Sequence, residues 1–226
     1  MRRKARIKAV FFDIDNTLFP TDRFAAFARK SAIRAMAREG LPCSEAKAYA
    51  LLKKIVVKYG ANNPHHFDIL LKELRQPRSP KLIAAGVAAY HSAKLRLAPY
   101  PGVPRTLSSL RNRGYKLYAL SRGVDIKQWD KLIRLGLHNH FSGVFVAKES
   151  KGVRFYKHVL RDLHLSPSEA IMVGDNPRLD ILPARKAGIT AVHFMKGRHA
   201  HDPGGRLADF RIRDLHELIL ILRKLS

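Results

Sequence analysis

From Pro99 onward, short apolar segments alternate with helix-length patterns, and this alternation restricts the fold more than any other feature of the chain. Residues 115–120, 144–147, 170–173, 190–194 and 210–212 read as strands. Between them, helices are predicted over 103–114, 126–135, 154–163 and 179–187, with Gly114, Gly136 and Gly188 as stop signals. A last helix is predicted from Leu215, where Asp214 and Glu217 have capping-box spacing. An earlier apolar run over 7–12, broken only by Lys8, reads as a buried strand. Repeated strand–helix units demand a parallel sheet with right-handed crossovers and helices on both faces. Ligands of such sheets lie at the carboxyl ends of the strands. The predicted class is therefore α/β, a doubly wound, Rossmann-like parallel-sheet core.

Residues 20–98 interrupt the pattern and show no strand signal. Phe24, Phe27, Ala28 and Ala35 fall on one helical face, with Ile33 opposite. Ser44 is placed to cap a helix ending at Gly60, lined on one side by Ala48, Leu51, Leu52, Ile55 and Tyr59. After the Asn62-Asn63-Pro64 turn, a short helix carries Phe67, Ile69, Leu70 and Leu74. Pro77 and Pro80 break it before another runs to about Lys94. The expected organisation is a core of 1–19 and 99–226 with an inserted helical bundle, 20–98.

The strand over 7–12 delivers two aspartates, Asp13 and Asp15, followed by Asn16 and Thr17. Alternation along a strand puts both carboxylates on one side of its end. Two close carboxylates repel unless a cation neutralises them. The pair suits a hard cation such as Mg²⁺, or one carboxylate that attacks while the other handles protons. The same run is also good turn and cap chemistry.

Asp13-Ile14-Asp15-Asn16-Thr17 resembles the first signature, Asp-x-Asp-x-Thr, of the haloacid dehalogenase-like hydrolase superfamily. Three further signatures follow in order, so the resemblance covers nearly the whole chain. It implies that Asp13 is a nucleophile forming an aspartyl-phosphate. Asp15 would protonate the leaving oxygen, then activate water, and lend its backbone carbonyl to Mg²⁺. The dehalogenase branch lacks a second aspartate, so Asp15 favours phosphoryl transfer. The second signature, a hydroxyl residue ending the next strand, is met by Ser121-Arg122-Gly123, where relatives often carry Asn in place of Arg122. Ser121, Arg122 and Asn16 would bind the substrate phosphate. The run from Ile126 to Leu132 looks like the archaeal-type phosphatases of the superfamily, with Trp129 read as packing. The third signature is a lysine that would also bind the substrate phosphate, its ammonium offsetting the charges on nucleophile and phosphate. Family spacing back from Asp175 lands on Ser150, so Lys151 is chosen ahead of Lys148 and Lys157. The fourth is Gly174-Asp175 with Asp180 five residues on. Asp175 would coordinate Mg²⁺ and Asp180 would support it, although an acid near a helix start has its own electrostatic use. The insert matches the family's small cap, which would close over the site and choose the substrate, with Tyr49 and Tyr59 as cavity candidates.

The charge balance is unusual: 43 Lys+Arg against 18 Asp+Glu gives +25. Such a field attracts phosphorylated metabolites and nucleic acid. The basic residues are spread along the chain, so a dedicated nucleic-acid role is not favoured. The lone Cys43 excludes an internal disulfide. No run approaches the ~18 apolar residues of a membrane span. The basic start, Met1 to Arg6, does not read as a secretory signal. A cytoplasmic location is expected, and oligomeric state is left open. The loop 196–205, with His199, His201 and Asp202, reads as a solvated surface loop rather than a metal site. The expected activity is Mg²⁺-dependent hydrolysis of a small phosphorylated metabolite. Alternatives are a phosphomutase, a nucleic-acid end phosphatase, or a phosphate- or nucleic-acid-binding protein without turnover.

Overall fold

The structure, a computed structural model, describes residues 6–225, so the basic start from Met1 to Ala5 lies outside the described residues. The chain divides into two compact units, one running to Asp22 and resuming at Ala98, the other spanning Arg23–Leu97.

The first unit is a six-stranded parallel sheet in the order β3-β2-β1-β4-β5-β6. Its strands are β1 (Ala9–Phe12), β2 (Lys116–Arg122), β3 (Gly143–Ala147), β4 (Ala170–Gly174), β5 (Thr190–Phe194) and β6 (Phe210–Ile212). The central β1 pairs with β2 on one side and β4 on the other. The strand order therefore reverses between β1 and β4, where open α/β sheets bind ligands. Alternation sends Phe11, Tyr118, Leu120, Met172 and Ala191 to one face. There they pack against Tyr156, Val159 and Leu160 of α7 (Val153–Asp162) and Ala184 of α8 (Leu182–Lys186). Val10, Phe12, Ala119, Ile171 and Val173 alternate with them and are also fully buried, so both faces are covered. The unit also contains α5 (Val103–Asn112), α6 (Asp125–Arg134) and α9 (Glu217–Leu225).

Three local expectations need correction. First, β2 continues to Arg122, which places Ser121 inside the strand, buried, with Gly123 turning the chain at a φ of 117°. Second, the helix expected from Leu179 starts earlier, as a π-turn over Pro177–Ile181. Asn176 caps it, its side chain accepting from the amides of Arg178 (3.0 Å) and Leu179 (3.2 Å). Third, only half of the box before α9 forms. Glu217 Oε1 accepts from Asp214 N (2.7 Å), but Asp214 Oδ1 accepts from His216 N (2.9 Å) in a local turn.

The second unit holds α2 (Glu45–Tyr59), α3 (His66–Glu73), α4 (Pro80–Ala93) and most of α1 (Thr21–Arg38). Ser44 caps α2, accepting from Lys47 N at 3.3 Å. The inward face of α1 is not the expected one: Ala28, Ala32, Ile33 and Met36 are buried. Ile33 and Met36 supply more aliphatic bulk, and the alanines beside them let neighbouring helices approach. Ala32, Ile33 and Met36 pack with Leu52, Ile55, Phe67, Leu70, Leu71 and Leu82. Phe27 is 37% exposed, with the Arg96 guanidinium 5.5 Å from its ring. Tyr59 is exposed too, and Tyr49 lies between Lys30 and Lys53, 5.5 and 5.4 Å from its ring. Among the described residues, no helix is long and apolar enough to cross a membrane.

Candidate active site

Asp13 is the first residue beyond β1. Its amide donates to Val173 O (2.9 Å), extending the β1–β4 ladder by one step and anchoring the backbone. Burial leaves its carboxylate with specific partners. Oδ1 accepts from the Lys151 ammonium, and Oδ2 accepts from Thr17 Oγ1 at 3.3 Å. Thr17 Oγ1 also accepts from the Asp175 amide (3.1 Å), so one hydroxyl ties the loop after β1 to the loop after β4. Asp175 is buried just past β4, and its carbonyl lies 3.0 Å from Nε2 of the buried His193 on β5, which donates to it.

Asp180 reaches the same place through the π-turn. Its Oδ2 accepts from the Asn176 amide (2.9 Å), and its Oδ1 pairs with Lys151 Nζ at 2.5 Å. Tyr156 fixes the turn by donating to Leu179 O (3.0 Å). Gly174 admits this close approach, since a Cβ there would lie 2.4 Å from Asp180 Cβ. Asp180 therefore serves the helix N-terminus with one oxygen and faces the lysine with the other.

Lys151 is 2% exposed and its ammonium also donates to Leu120 O (3.2 Å). Lys148 and Lys157 are exposed, so among the three lysines considered Lys151 occupies the centre. Burial alone would lower its pKa, but the carboxylates of Asp13 and Asp180 outweigh burial and raise it, keeping the ammonium charged. Burial pushes Asp13 up to about 7, opposed by Lys151 and reinforced by Asp180 and Asp15. Burial pushes Asp175 up to about 9, again reinforced by Asp13 and Asp180.

Asp13, Asp175 and Asp180 each bring one oxygen into a group whose atoms lie within 4.8 Å of one another. Three buried carboxylates face one ammonium. The donor set is all oxygen and, when ionised, in surplus negative charge, which fits a hard divalent cation. The Asp15 carboxylate stands apart from this group. Lys131 Nζ grips both of its oxygens, at 2.7 and 2.8 Å, and Thr21 Oγ1 donates to Oδ1 at 2.8 Å.

The remaining expected residues are distributed as follows. Ser121 is buried at the end of β2, and Arg122 beside it is exposed. Asn16 has a φ of 59°, and its carboxamide is committed to Asp22, donating to Oδ2 and accepting from the amide at 3.1 Å each. The loop after β5 is not simply solvated. Gly197 packs on Asn16, Arg198 pairs with Asp22 at 3.6 Å, and His199 lies 3.2 Å from Asn176 Nδ2. Trp129, read as packing, is 39% exposed. Thr17 stands inside the first signature and Lys131 inside the run from Ile126 to Leu132, but nothing in the sequence assigns either side chain a partner.

A family model described as haloacid dehalogenase-like hydrolase matches residues 7–188. The chain is 41% identical over 230 residues to a glyceraldehyde 3-phosphate phosphatase of Methanopyrus kandleri, covering 97% of this chain and 99% of that one. It is 39% identical over 227 residues to a glyceraldehyde 3-phosphate phosphatase of Pyrococcus furiosus, covering 97% and 94%. Among solved structures it is similar to a phosphatase of this family from Thermococcus onnurineus, with a TM-score of 0.69, 26% identity and coverage of 96% and 98%. Strand order, buried acidic group and relatives over the full length agree: the chain is an enzyme of the haloacid dehalogenase-like hydrolase family.

Proposed function

We propose that this hydrolase is a divalent-cation-dependent phosphatase of small phosphorylated metabolites, with glyceraldehyde 3-phosphate as first candidate substrate. The observation that carries the reading is the convergence of Asp13, Asp175, Asp180 and Lys151 on one buried spot at the strand ends. The substrate assignment rests on the names of the relatives at about 40% identity.

Asp13 is the nucleophile: one of its oxygens attacks phosphorus in line with the departing alcohol oxygen. Contacts from Lys151 and Thr17 hold its carboxylate in one orientation before substrate arrives, so that part of the reaction's positioning is already achieved. Asp15 gives a proton to the leaving oxygen and then takes one from the water that hydrolyses the aspartyl-phosphate. Lys151 and Ser121 receive phosphoryl oxygens, and the turn at Gly123 lets backbone amides approach them. Exposed Arg122 adds charge from the solvent side, while Asn16 shapes the loop. Asp13, Asp175 and Asp180, with the Asp15 carbonyl, would hold Mg²⁺, which when bound supplies positive charge against nucleophile and phosphate. The helical unit of residues 23–97 acts as the cap that selects the substrate.

Purified protein should release phosphate from glyceraldehyde 3-phosphate only with Mg²⁺ or a similar ion, and faster than from phosphoserine, hexose phosphates or 5′-phosphorylated oligonucleotides. Asp13→Asn should be inactive while keeping its circular dichroism. Full activity in that variant would refute the assignment of the nucleophile. A preference for the oligonucleotide would replace the metabolite by nucleic acid as substrate.

A further inference from the structure

The helix α6 is built against the ordinary pattern. Apolar side chains at Ile126, Trp129 and Ile133 are 72%, 39% and 56% exposed, while Gln128 is buried and the Lys131 side chain is only 23% exposed. Gln128 and Lys131 are three residues apart on one side of the helix, so they point the same way. Turning an amide and an ammonium inward costs desolvation unless specific partners receive them. Where a sequence breaks a local rule and satisfies every polar group it buries, function is the usual reason.

The partners form a continuous chain. Gln128 Nε2 donates to Arg122 O at the end of β2 (2.9 Å), and Gln128 Oε1 accepts from Lys131 Nζ (3.0 Å). Lys131 Nζ then donates to both oxygens of Asp15, 116 positions earlier in sequence. The Phe19 ring lies 5.9 Å from the same ammonium, an apolar wall on that side. Thr21 Oγ1 adds a third donor to the Asp15 carboxylate. Asp15 is the one site carboxylate partly open to solvent, and a free carboxylate there would sample several rotamers. The fork from Lys131 removes that freedom.

We infer that Lys131 is a positioning residue for the reaction. Anchored by Gln128 to the end of β2, it holds the Asp15 carboxylate in the orientation from which Asp15 handles the proton of the leaving group. This rests on the phosphatase reading above. Lys131 acts through Asp15, so its loss should fall on the step in which Asp15 acts rather than on binding.

The test compares two phosphoesters in the first turnover, before hydrolysis of the phosphoaspartate intermediate. One is an alkyl ester, glycerol phosphate, whose alkoxide leaves poorly without a proton. The other is p-nitrophenyl phosphate, whose nitrophenolate leaves without one. Lys131→Met should slow alcohol release from the alkyl ester by about ten- to a hundredfold, part of the ~10²–10⁴ that general acid–base catalysis contributes. Nitrophenolate release should fall by less than about threefold, because that departure needs no general acid. KM should change little, and Lys131→Arg should recover part of the loss. Should Lys131→Met fail to fold, Gln128→Met removes the anchor but keeps the ammonium, and should show the same selectivity at smaller size. Equal losses on both esters, or a change confined to KM, would overturn the inference and make Lys131 a structural or substrate-binding residue. Wild-type protein that cleaves neither ester nor glyceraldehyde 3-phosphate would instead defeat the phosphatase reading itself.

Discussion

Burial makes Asp13 and Asp175 hold protons more tightly than carboxylates in water, at about 7 and about 9 against 3.8. The sign of the stability effect follows from proton counting. Between the unfolded and folded values the native state binds more protons than the unfolded chain, so stability falls as pH rises across that window. Lys151, raised in the folded state, stays protonated in both states until above its ordinary value of 10.5, so it does not reverse the trend. Burial lowers His66, His140 and His193, which act in the opposite sense below about pH 6.5, so metal-free protein should melt at progressively lower temperature between pH ~7 and pH ~9, by about 2–4 °C for each kcal/mol lost. A divalent cation binds the ionised carboxylates, so the rise in Tm on adding Mg²⁺ should be larger at pH ~8.5 than at pH ~5.5. Scanning calorimetry at the two pH values, with and without Mg²⁺, decides this; an equal rise at both would mean the ion binds elsewhere. The buried lysine offers a second measurement. Lys151→Met leaves Asp13 and Asp180 without their counter-charge, which should cost roughly 3–5 kcal/mol in urea unfolding without metal. Added Mg²⁺ should return part of it.

Elements were legible in proportion to how local their causes are. Ser44 as a cap, the glycines that end helices and the apolar strands β1 and β4 act through neighbours in sequence, and all form, β1 two residues shorter than its apolar run. The face of α1 was not legible, because periodicity counts apolar residues without knowing what lies opposite. Phe24 and Phe27 drew the stripe toward themselves, but Arg96, distant in sequence, covers Phe27, while Ile33 and Met36 meet three other helices. Stability separates the two faces. Ile33→Ala should cost about 2–4 kcal/mol through the cavity it leaves, whereas Phe27→Ala should stay within about 1 kcal/mol. Comparable losses would restore the sequence-based face. The carboxylates of the site were readable from strand ends and spacing. The π-turn that delivers Asp180, and the face of α6 that sends Lys131 across to Asp15, were not, since both depend on packing between elements. Gly174 shows how narrow the first of these is. Gly174→Ala would press a methyl group into Asp180, and overpacking of this kind costs about 1–3 kcal/mol. It should also weaken Mg²⁺ binding by calorimetric titration, whereas a variant that binds as wild type would show that the turn can give way.

For the whole molecule, the excess of 25 positive charges belongs to the solution around the protein more than to its fold. At the site itself the described carboxylates outnumber the central lysine, so once pH rises past the raised values of Asp13 and Asp175 the metal-free strand ends would repel a phosphate dianion while the surface attracts it. The two fields act over different ranges. Exposed charges are screened over about 8–10 Å at physiological salt, whereas contacts inside the buried cluster are screened far less. Electrostatic attraction by the surface therefore sets how often substrate arrives, and the buried group sets what happens afterwards. With Mg²⁺ held at saturation, raising KCl from ~20 to ~300 mM should lower kcat/KM for an anionic phosphoester severalfold while kcat changes by less than about twofold. Steady-state kinetics on one substrate is sufficient. A parallel fall in kcat would locate the salt sensitivity in the cluster, in the ion or in Lys151. Salt-independent kcat/KM would mean that the basic surface has no part in bringing substrate to the site, and its charge would then need another anionic partner to account for it.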